Sequence, residues 1–236
     1  MSEMRIKSVQ DFHEMVESYS HIHRIFRGEK STTNTLLPKV GRAIKHAHTS
    51  AQDSSQLIEQ SCFNEFKRRA KPYITQNIQN DWEWLALAQH HGLPTRLLDW
   101  TENPLIALYF ATWGKLGDDS LIYVLDQNAF PKSTDYHSPF NITDITIHHP
   151  HHTTNRIANQ AGLFTTHLNI SDPFEHESLH KWIIDGSCII ELRSMMRGYG
   201  VDPALVFPGL DGIAAVSAHI HTLDIWEDFS NFRKHQ

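Results

Sequence analysis

The sequence is poor in cysteine, which limits both disulfides and metal sites built from thiolates. Cys62 and Cys188 are far apart and fit no paired-cysteine spacing, so a disulfide-stapled fold is not expected and a reducing setting fits better. No apolar run approaches the roughly 18 residues that a spanning helix needs. The N-terminal stretch carries acids and lacks the apolar centre of a signal peptide. We therefore expect a soluble, cytoplasmic protein that does not enter a membrane.

Several sequence fingerprints of common enzymes are also missing. There is no G-x-G-x-x-G, no Walker loop, no G-x-S-x-G and no H-E-x-x-H. With 21 basic against 27 acidic residues the net charge is −6, so there is no global basic surface for duplex nucleic acid. These absences argue against the common nucleotide folds, serine hydrolases and zinc proteases. They do not exclude a local basic groove.

The chain has enough apolar material for one large core. It has 236 residues, of which 40% are hydrophobic, and domains typically run to about 100–200 residues. Helical and strand patterns follow one another in mixed order, which favours an α+β class over an alternating parallel sheet. We expect one domain over residues 1–236, with a central, largely antiparallel sheet flanked by helices.

Periodicity and capping residues place the elements. Ser8 and Asp81 are the expected N-caps of two helices, and Asn103 caps a third that has Pro104 at its first position and Gly114 at its end. The predicted helices cover 8–19, 53–74, 81–94, 101–114 and 211–222. The predicted strands cover 23–28, 95–100, 119–126, 162–170 and 187–193, with irregular connections over 34–50 and 127–155.

A histidine-rich run invites a metal hypothesis. It comprises His148, His149, His151 and His152 in "HHPHH". Adjacent side chains on an extended chain point to opposite faces, so one such run rarely supplies three converging ligands. We expect no functional metal.

The densest polar block is "AQHHGLPTRLLDWTENP", residues 88–104. Strand alternation puts Arg96 and Trp100 on one side and Asp99 and Thr101 on the other. A structural interpretation stays open, in which Thr101 or Asn103 caps the next helix and Asp99 pairs with Arg96 or Arg27. The remaining polar members of the block are His90, His91 and Thr95.

As a binding site, this block favours an anion. A helix that begins near Asn103 offers free N–H groups and a positive dipole end. Arg27 and Arg96 add bidentate donors, and Trp100 or Tyr109 offers a ring for stacking on a base. Together these features indicate a nucleotide pocket.

A third cluster, "RIANQAGLFTTH", places Gln160 just before a strand that starts at Gly162. Its plain interpretation is a strand-entry turn with a satisfied amide. In "LFPGLDGIAAV", Asp211 stands at a helix start, where a carboxylate commonly serves as the N-cap.

Several blocks together resemble the FRG domain family, which is named for a Phe/Tyr-Arg-Gly motif. The resemblance spans roughly residues 20–216, and its middle block is long and specific. The blocks are "IFRGE", "QHHGLPTRLLDWTENPLIALYFATW", "NQAGLFTTH" and "ALVFPGLDGIA".

A more distant resemblance is to ADP-ribosyltransferases that carry an arginine. In these enzymes an aromatic-Arg-Gly strand comes first, then a Ser/Thr strand leading into an alanine-rich helix, then a strand with an acid. Arg27 and Thr101 match the first two elements. The third falls at Gln160, where the transferases typically have glutamate, so Glu191 or Asp211 would have to replace the acid.

The transferase resemblance implies NAD as the substrate, with no metal, and a macromolecular acceptor, as in a toxin or a phage-defence effector. Arg27 would hold the pyrophosphate or ribose, Thr101 would orient the nicotinamide ribose, and Tyr109 or Trp100 would stack on the nicotinamide. Gln160 and Glu191 complete the catalytic set. The other residues expected at the nucleotide are Gly28, His90, His91, Thr95, Arg96, Asp99 and Asn103.

Two other functions stay open at this point. One is a nucleotide-binding or interaction module without catalysis, which a glutamine at position 160 favours. The other is a hydrolase of a nucleotide or phosphoester that acts through His90 or His91. The sequence does not specify the acceptor or the oligomeric state.

Overall fold

Strands and helices alternate irregularly along the chain in a computed structural model, which describes residues 4–46, 52–75, 77–112, 116–151 and 155–222. The strands are β1 (Met4–Ile6), β2 (Arg24–Glu29), β3 (Leu97–Thr101), β4 (Ser120–Asp126), β5 (Thr146–His148), β6 (Gly162–Thr166) and β7 (Leu179–Ile184). The helices are α1 (Val9–Ser18), α2 (Lys39–His46), α3 (Gln52–Ala70), α4 (Asp81–His90), α5 (Pro104–Ala111), α6 (Asn155–Asn159), α7 (Ile189–Gly198), α8 (Pro203–Val206) and α9 (Leu210–Thr222). Among the described helices none is long and apolar enough to cross a bilayer.

All seven strands belong to one sheet, in the order β1-β7-β4-β2-β3-β6-β5. β1 runs parallel to β7, and the other neighbours are antiparallel. The predicted α+β class with a largely antiparallel sheet is confirmed. The strand that carries the Phe-Arg-Gly motif, β2, lies at the centre of the sheet.

Side chains alternate between the two faces of β2. Phe26 points into a core formed with α1, α5, α7 and α8, where Phe12, Ile106 and Leu192 are at most 1% exposed. Ile25 points into a second core on the opposite face, with Leu98 and other strand residues. A third core lies under α3 and α4, against the β3–β6 part of the sheet.

Gly28 allows α5 to lie directly on β2. A Cβ atom at this position would stand 1.9 Å from the carbonyl oxygen of Ala107 and 2.6 Å from the amide nitrogen of Ala111. No side chain fits at such distances, so the glycine of the motif sets the spacing between the helix and the sheet.

Two of the predicted helix caps are confirmed and two are wrong. Ser8 accepts from the amide of Asp11, and Asn103 accepts from the amide of Leu105. The cap of α4 is Asn80, which has an extended backbone and accepts from the amide of Glu83, whereas Asp81 is already helical. Asp211 lies within the first turn of α9. The predicted helix end at Gly114 lies outside the described residues.

The strand predicted over 187–193 is wrong. This stretch is a 3-10 turn, Gly186–Cys188, followed by α7. Ile189, Leu192 and Met196 recur at helical spacing and are all buried. The actual strand is β7, just upstream, which sequence analysis did not predict.

The irregular connections predicted over 34–50 and 127–155 are partly wrong. Residues 39–46 form α2, whose Val40 and Ile44 are buried one turn apart, and β5 lies inside the second connection. The apolar residues of α3 are only partly buried, because Phe63 is 1% exposed but Leu57 is 65% exposed.

Candidate functional site

The sheet opens between β2 and β3. β2 pairs with β4 over all six of its residues, and β3 pairs with β6 over all five. Between themselves, β2 and β3 register only Phe26 against Thr101. The two strands therefore part beyond this pair. We call the gap the β2–β3 opening and define it by the polar residues Arg27, Glu29, Asn34, Arg42 and Asp99.

Arg27 is held at this opening by three hydrogen bonds. Its Nε and Nη2 donate to Oε1 of Glu29 at 2.8 and 2.6 Å, and Nη1 donates to the carbonyl oxygen of Asp99 at 2.7 Å. Its side chain is only 16% exposed. The guanidinium thus supplies a donor to β3 where the backbone of β2 has moved away, and its orientation is fixed.

Glu29 and Asn34 support Arg27 from the same face. Oε2 of Glu29 accepts from Nδ2 of Asn34 at 3.0 Å, and Tyr123, opposite Arg27 on β4, donates to the carbonyl of Asn34 at 3.4 Å. Burial, followed by the charge of Glu29, raises the pKa of Tyr123. These contacts connect Arg27, Glu29, Asn34 and Tyr123 in one hydrogen-bonded group.

A second arginine, Arg42 on α2, lies close enough to the opening for the charges there to act on it. Arg42 is exposed and donates through Nη1 to the carbonyl of Leu37 at 2.7 Å. Desolvation, and then the charge of Arg27, lower its pKa, while Glu29 and Asp99 act in the opposite direction. Two guanidinium groups and two carboxylates therefore share this site.

A buried hydrogen-bond chain lies behind it. Nε1 of Trp100 donates to Oγ1 of Thr165 at 2.9 Å, and that hydroxyl lies 2.8 Å from Nε2 of His167. The hydroxyl has a second lone pair and one proton, so in its bond with His167 either group can be the donor, according to the tautomer of the imidazole. Burial, followed by the charges of Arg27 and Arg96, lowers the pKa of His167 to about 3. The imidazole is neutral.

The family model of the FRG domain matches residues 23–120, which contain β2, β3, the first residue of β4 and the five residues that define the β2–β3 opening. The match covers 98 of the 236 residues, so this part of the chain is similar to the FRG domain. No curated protein and no solved structure matches the chain. The blocks "NQAGLFTTH" and "ALVFPGLDGIA" lie after the matched residues of the FRG domain.

Arg27 on β2 and Thr101 on β3 lie on opposite faces of the sheet. Thr101 stands opposite Phe26, and directly paired residues share a face, so Thr101 and Arg27 project from opposite sides of the sheet. Asp99, two residues from Thr101 on β3, belongs by alternation to the same face as Thr101. Its Oδ2 nevertheless lies 3.9 Å from Nη1 of Arg27, because the two strands part at this point.

Thr101, Asn103 and Gln160 come together at the start of α5. Oγ1 of Thr101 donates to the carbonyl of Gln160, 59 residues away, at 2.6 Å, and accepts from the amide of Asn103 at 3.0 Å. The side-chain amide of Gln160 donates to the carbonyl of Val206 at 2.9 Å. The polar groups of this trio are engaged in joining β3, β6 and α8.

Arg96 is enclosed in the interior of the protein. It is 0% exposed, and its Nε and Nη2 donate to Oε2 of Glu59 at 3.0 and 2.7 Å. Its guanidinium carbon lies 4.8 Å from the ring centre of Phe140. The expected pairing of Asp99 with Arg96 is therefore wrong. Thr95, also buried, hydrogen-bonds the side-chain oxygen of Gln89.

The remaining expected site residues are dispersed. Tyr109 lies in the core beneath α5 and is 1% exposed. Trp100 is 3% exposed and faces the second core. Glu191 is on the exposed side of α7, which packs against α1 and α5, so it does not reach the opening.

His90 and His91 lie at the end of α4, with ring centres 5.1 Å apart. His91 also lines an apolar groove of about 1040 Å³ beside α3, which contains none of the residues of the β2–β3 opening. The groove and the opening are separate features.

Two residues of the histidine-rich run contact α4. Nδ1 of His151 lies 2.8 Å from Oε1 of Glu83, and His148 packs on Trp82 with its Nδ1 3.0 Å from the hydroxyl of Ser133. Within the described residues no group of three His, Cys, Asp or Glu side chains could hold a metal. His152 lies outside those residues.

Sequence analysis missed three residues of the opening. Glu29 follows Arg27 at a spacing of two, and strand alternation was a sufficient signal to place both on one face. Asn34 and Arg42 gave no such signal, because both fall in the stretch predicted as irregular.

Proposed function

We propose that this protein binds NAD in the β2–β3 opening and transfers ADP-ribose to a macromolecule, acting in the cytoplasm as a toxin or phage-defence effector. One observation carries the proposal. The three elements of the transferase resemblance, at Arg27, Thr101 and Gln160, belong to or immediately precede neighbouring strands in the order β2-β3-β6, and the sheet opens beside Arg27.

The opening suits a pyrophosphate. Arg27 presents a planar fork whose orientation Glu29 fixes, and Arg42 provides a second guanidinium from another element. Two guanidiniums match the two negative charges of the pyrophosphate. Glu29 takes Nε and one N–H of Nη2, so the pyrophosphate would meet the remaining N–H groups of Nη1 and Nη2 while Glu29 keeps the fork in place.

A second candidate function is a nucleotide-binding module without catalysis. Gln160 is neutral where the transferases have an acid, and its amide is bound to the carbonyl of Val206. A neutral, already bonded amide stabilises a developing positive charge poorly. Binding of NAD without release of nicotinamide would favour this module.

Calorimetric titration with NAD, ADP-ribose and ATP, without added metal, tests the proposal, together with an assay for nicotinamide release. We expect saturable NAD binding that weakens at least tenfold in Arg42→Ala, whose side chain is exposed. Arg27→Ala should abolish binding. Arg24→Ala is the matched control, since Arg24 is on the same strand but donates to the carbonyl of Tyr19.

Folding is checked by melting temperature, because Arg27→Ala leaves Glu29 without its partner. Absence of binding by the folded wild-type protein to any of the three nucleotides contradicts the proposal. Activity that a chelator abolishes would also contradict it and would favour a metal-dependent hydrolase acting through His90 or His91.

A further inference from the structure

Asp99 is an exposed carboxylate in the interior of a sheet. β3 lies between β2 and β6, and the neighbours of Asp99 on the strand, Leu98 and Trp100, are 2% and 3% exposed. The side chain of Asp99 is nevertheless 67% exposed. Aspartate is depleted in strands, and a buried carboxylate without partners is costly. The side chain reaches solvent here because β2 departs from β3, so the opening extends to the middle of the sheet.

The two carboxylates of the opening are not equivalent. Both oxygens of Glu29 are occupied, one by Arg27 and one by Asn34, and its side chain is 13% exposed. Asp99 is fixed through its main chain, whose carbonyl accepts from Arg27 at 2.7 Å. In the described part of the chain, its carboxylate makes one contact, at 3.9 Å to Arg27. Asp99 therefore has an ordered backbone and a carboxylate available to a ligand.

We propose that Asp99 is the catalytic carboxylate of the opening, facing the nicotinamide ribose of NAD in place of the acid that position 160 lacks. This inference rests on the proposed function. Glu191 is on the far side of α5, and the amide of Gln160 is bound to Val206. Neither of them reaches the guanidinium of Arg27, whereas Asp99 does.

The reaction step is a displacement at C1′ of the ribose. The bond between C1′ and the pyridinium nitrogen breaks, its electron pair goes to that nitrogen, and neutral nicotinamide leaves. The Asp99 carboxylate stabilises the positive charge that develops on the ribose. An acceptor oxygen or nitrogen, or water, forms the new bond to C1′, and its proton passes to Asp99 and then to solvent. Arg27 keeps the phosphates beside this carboxylate.

The test compares nicotinamide release by the wild-type protein, Asp99→Asn and Asp99→Glu. Asparagine keeps the shape but removes the charge, so we expect kcat to fall about 100-fold or more, with KM for NAD and melting temperature close to wild type. Glutamate should restore part of kcat. Glu102→Gln is the matched control, because Glu102 is an exposed acid three residues along the chain, and it should keep wild-type rates.

Three results would overturn the assignment. Wild-type kcat in Asp99→Asn leaves the proposed function standing and removes Asp99 from catalysis. Loss of NAD binding with unchanged kcat at saturation makes Asp99 a binding residue only. No nicotinamide release by the wild-type protein removes the transferase function and this role together.

Discussion

Arg27 has an ion-pair partner within the protein and is also the proposed ligand-binding residue, so a change in its variants can come from either role. Its side chain is 16% exposed and its partner Glu29 13%, which places the pair between a surface ion pair worth about 0–1 kcal/mol and a buried one that costs about 3–5 kcal/mol to break. Arg42, on an exposed helix face, has no comparable structural role. Loss of binding in Arg42→Ala is therefore the more direct evidence about the opening.

Arg96 shows the opposite case, an arginine without access to solvent. Both it and Glu59 are at most 1% exposed in their side chains, and the pair connects α3 to the start of β3. The residue type and the neighbouring polar block suggested a ligand site, but the guanidinium is fully matched within the protein. Residue identity alone did not separate it from Arg27.

Two buried histidines predict how stability depends on pH. Burial is the main cause that lowers the pKa of His167 to about 3 and of His148 to about 4, from about 6.5 in the unfolded chain. As pH falls below about 6.5, the unfolded state takes up protons that the folded state does not. Stability is thus fully present above about pH 6.5 and decreases toward pH 4 and 3, by up to about 1.4 kcal/mol per pH unit for each histidine.

Urea unfolding between about pH 7 and pH 5 measures this slope before most carboxylates titrate. His167→Gln keeps a hydrogen-bonding group for Thr165 but cannot take up a proton, so the slope should fall by about half. An unchanged slope in that variant would mean that the imidazole of His167 is not buried in its neutral form.

At the scale of elements, the contact between β2 and α5 depends on Gly28. Gly28→Ala would place a methyl group 1.9 Å from the carbonyl oxygen of Ala107, a backbone atom that cannot move by itself. We expect a loss of several kcal/mol or failure to fold, because α5 must be displaced from the core. Urea unfolding or soluble yield measures the effect.

Gly198→Ala is the matched control for Gly28→Ala. Gly198 is the last residue of α7, and a Cβ atom there meets nothing within 4 Å. Since alanine is favoured over glycine in helices by about 1 kcal/mol, this variant should be as stable as the wild type or more so. Equal stability of Gly28→Ala and wild type would show that α5 does not lie this close to β2.

Element prediction succeeded where the signal was local. The cap and proline of α5, at Asn103 and Pro104, are confirmed because they act on the adjacent turn. The strand predicted over 187–193 failed because its apolar residues fit strand and helix periods equally over seven positions. The helical conformation is the one in which this stretch packs against α1 and α5.

At the scale of the whole molecule, the sheet joins both halves of the chain. Within the match lie β2 and β3. Their outer neighbours are β4, of which only Ser120 is matched, and β6, and β4 in turn pairs with β7, so both flanks are formed by later parts of the chain. A chain of residues 1–120 would keep β2 and β3 but only the first residue of β4, so it would lose the strands that pair with both outer edges. Such edges are exposed to solvent and to aggregation.

We therefore expect the 1–120 fragment to be unfolded or insoluble, whereas the full chain unfolds in one cooperative transition. Calorimetry and circular dichroism of both proteins measure this. The full chain, expressed in parallel, controls for solubility. A soluble 1–120 fragment with native-like strand content would show that the FRG match is an independent folding unit.

The sequence by itself determined the class of the fold, most helix starts and the strand that carries Arg27, because capping and periodicity act within a few residues. Only the tertiary structure decided the β2–β3 opening, since strand pairing joins residues far apart in the chain. Register placed Thr101 opposite Phe26, and therefore on the other face from Arg27. The same long-range packing enclosed Arg96 with Glu59 and brought Asp99 to the guanidinium of Arg27. It also placed Arg42 within the electrostatic influence of Arg27, Glu29 and Asp99.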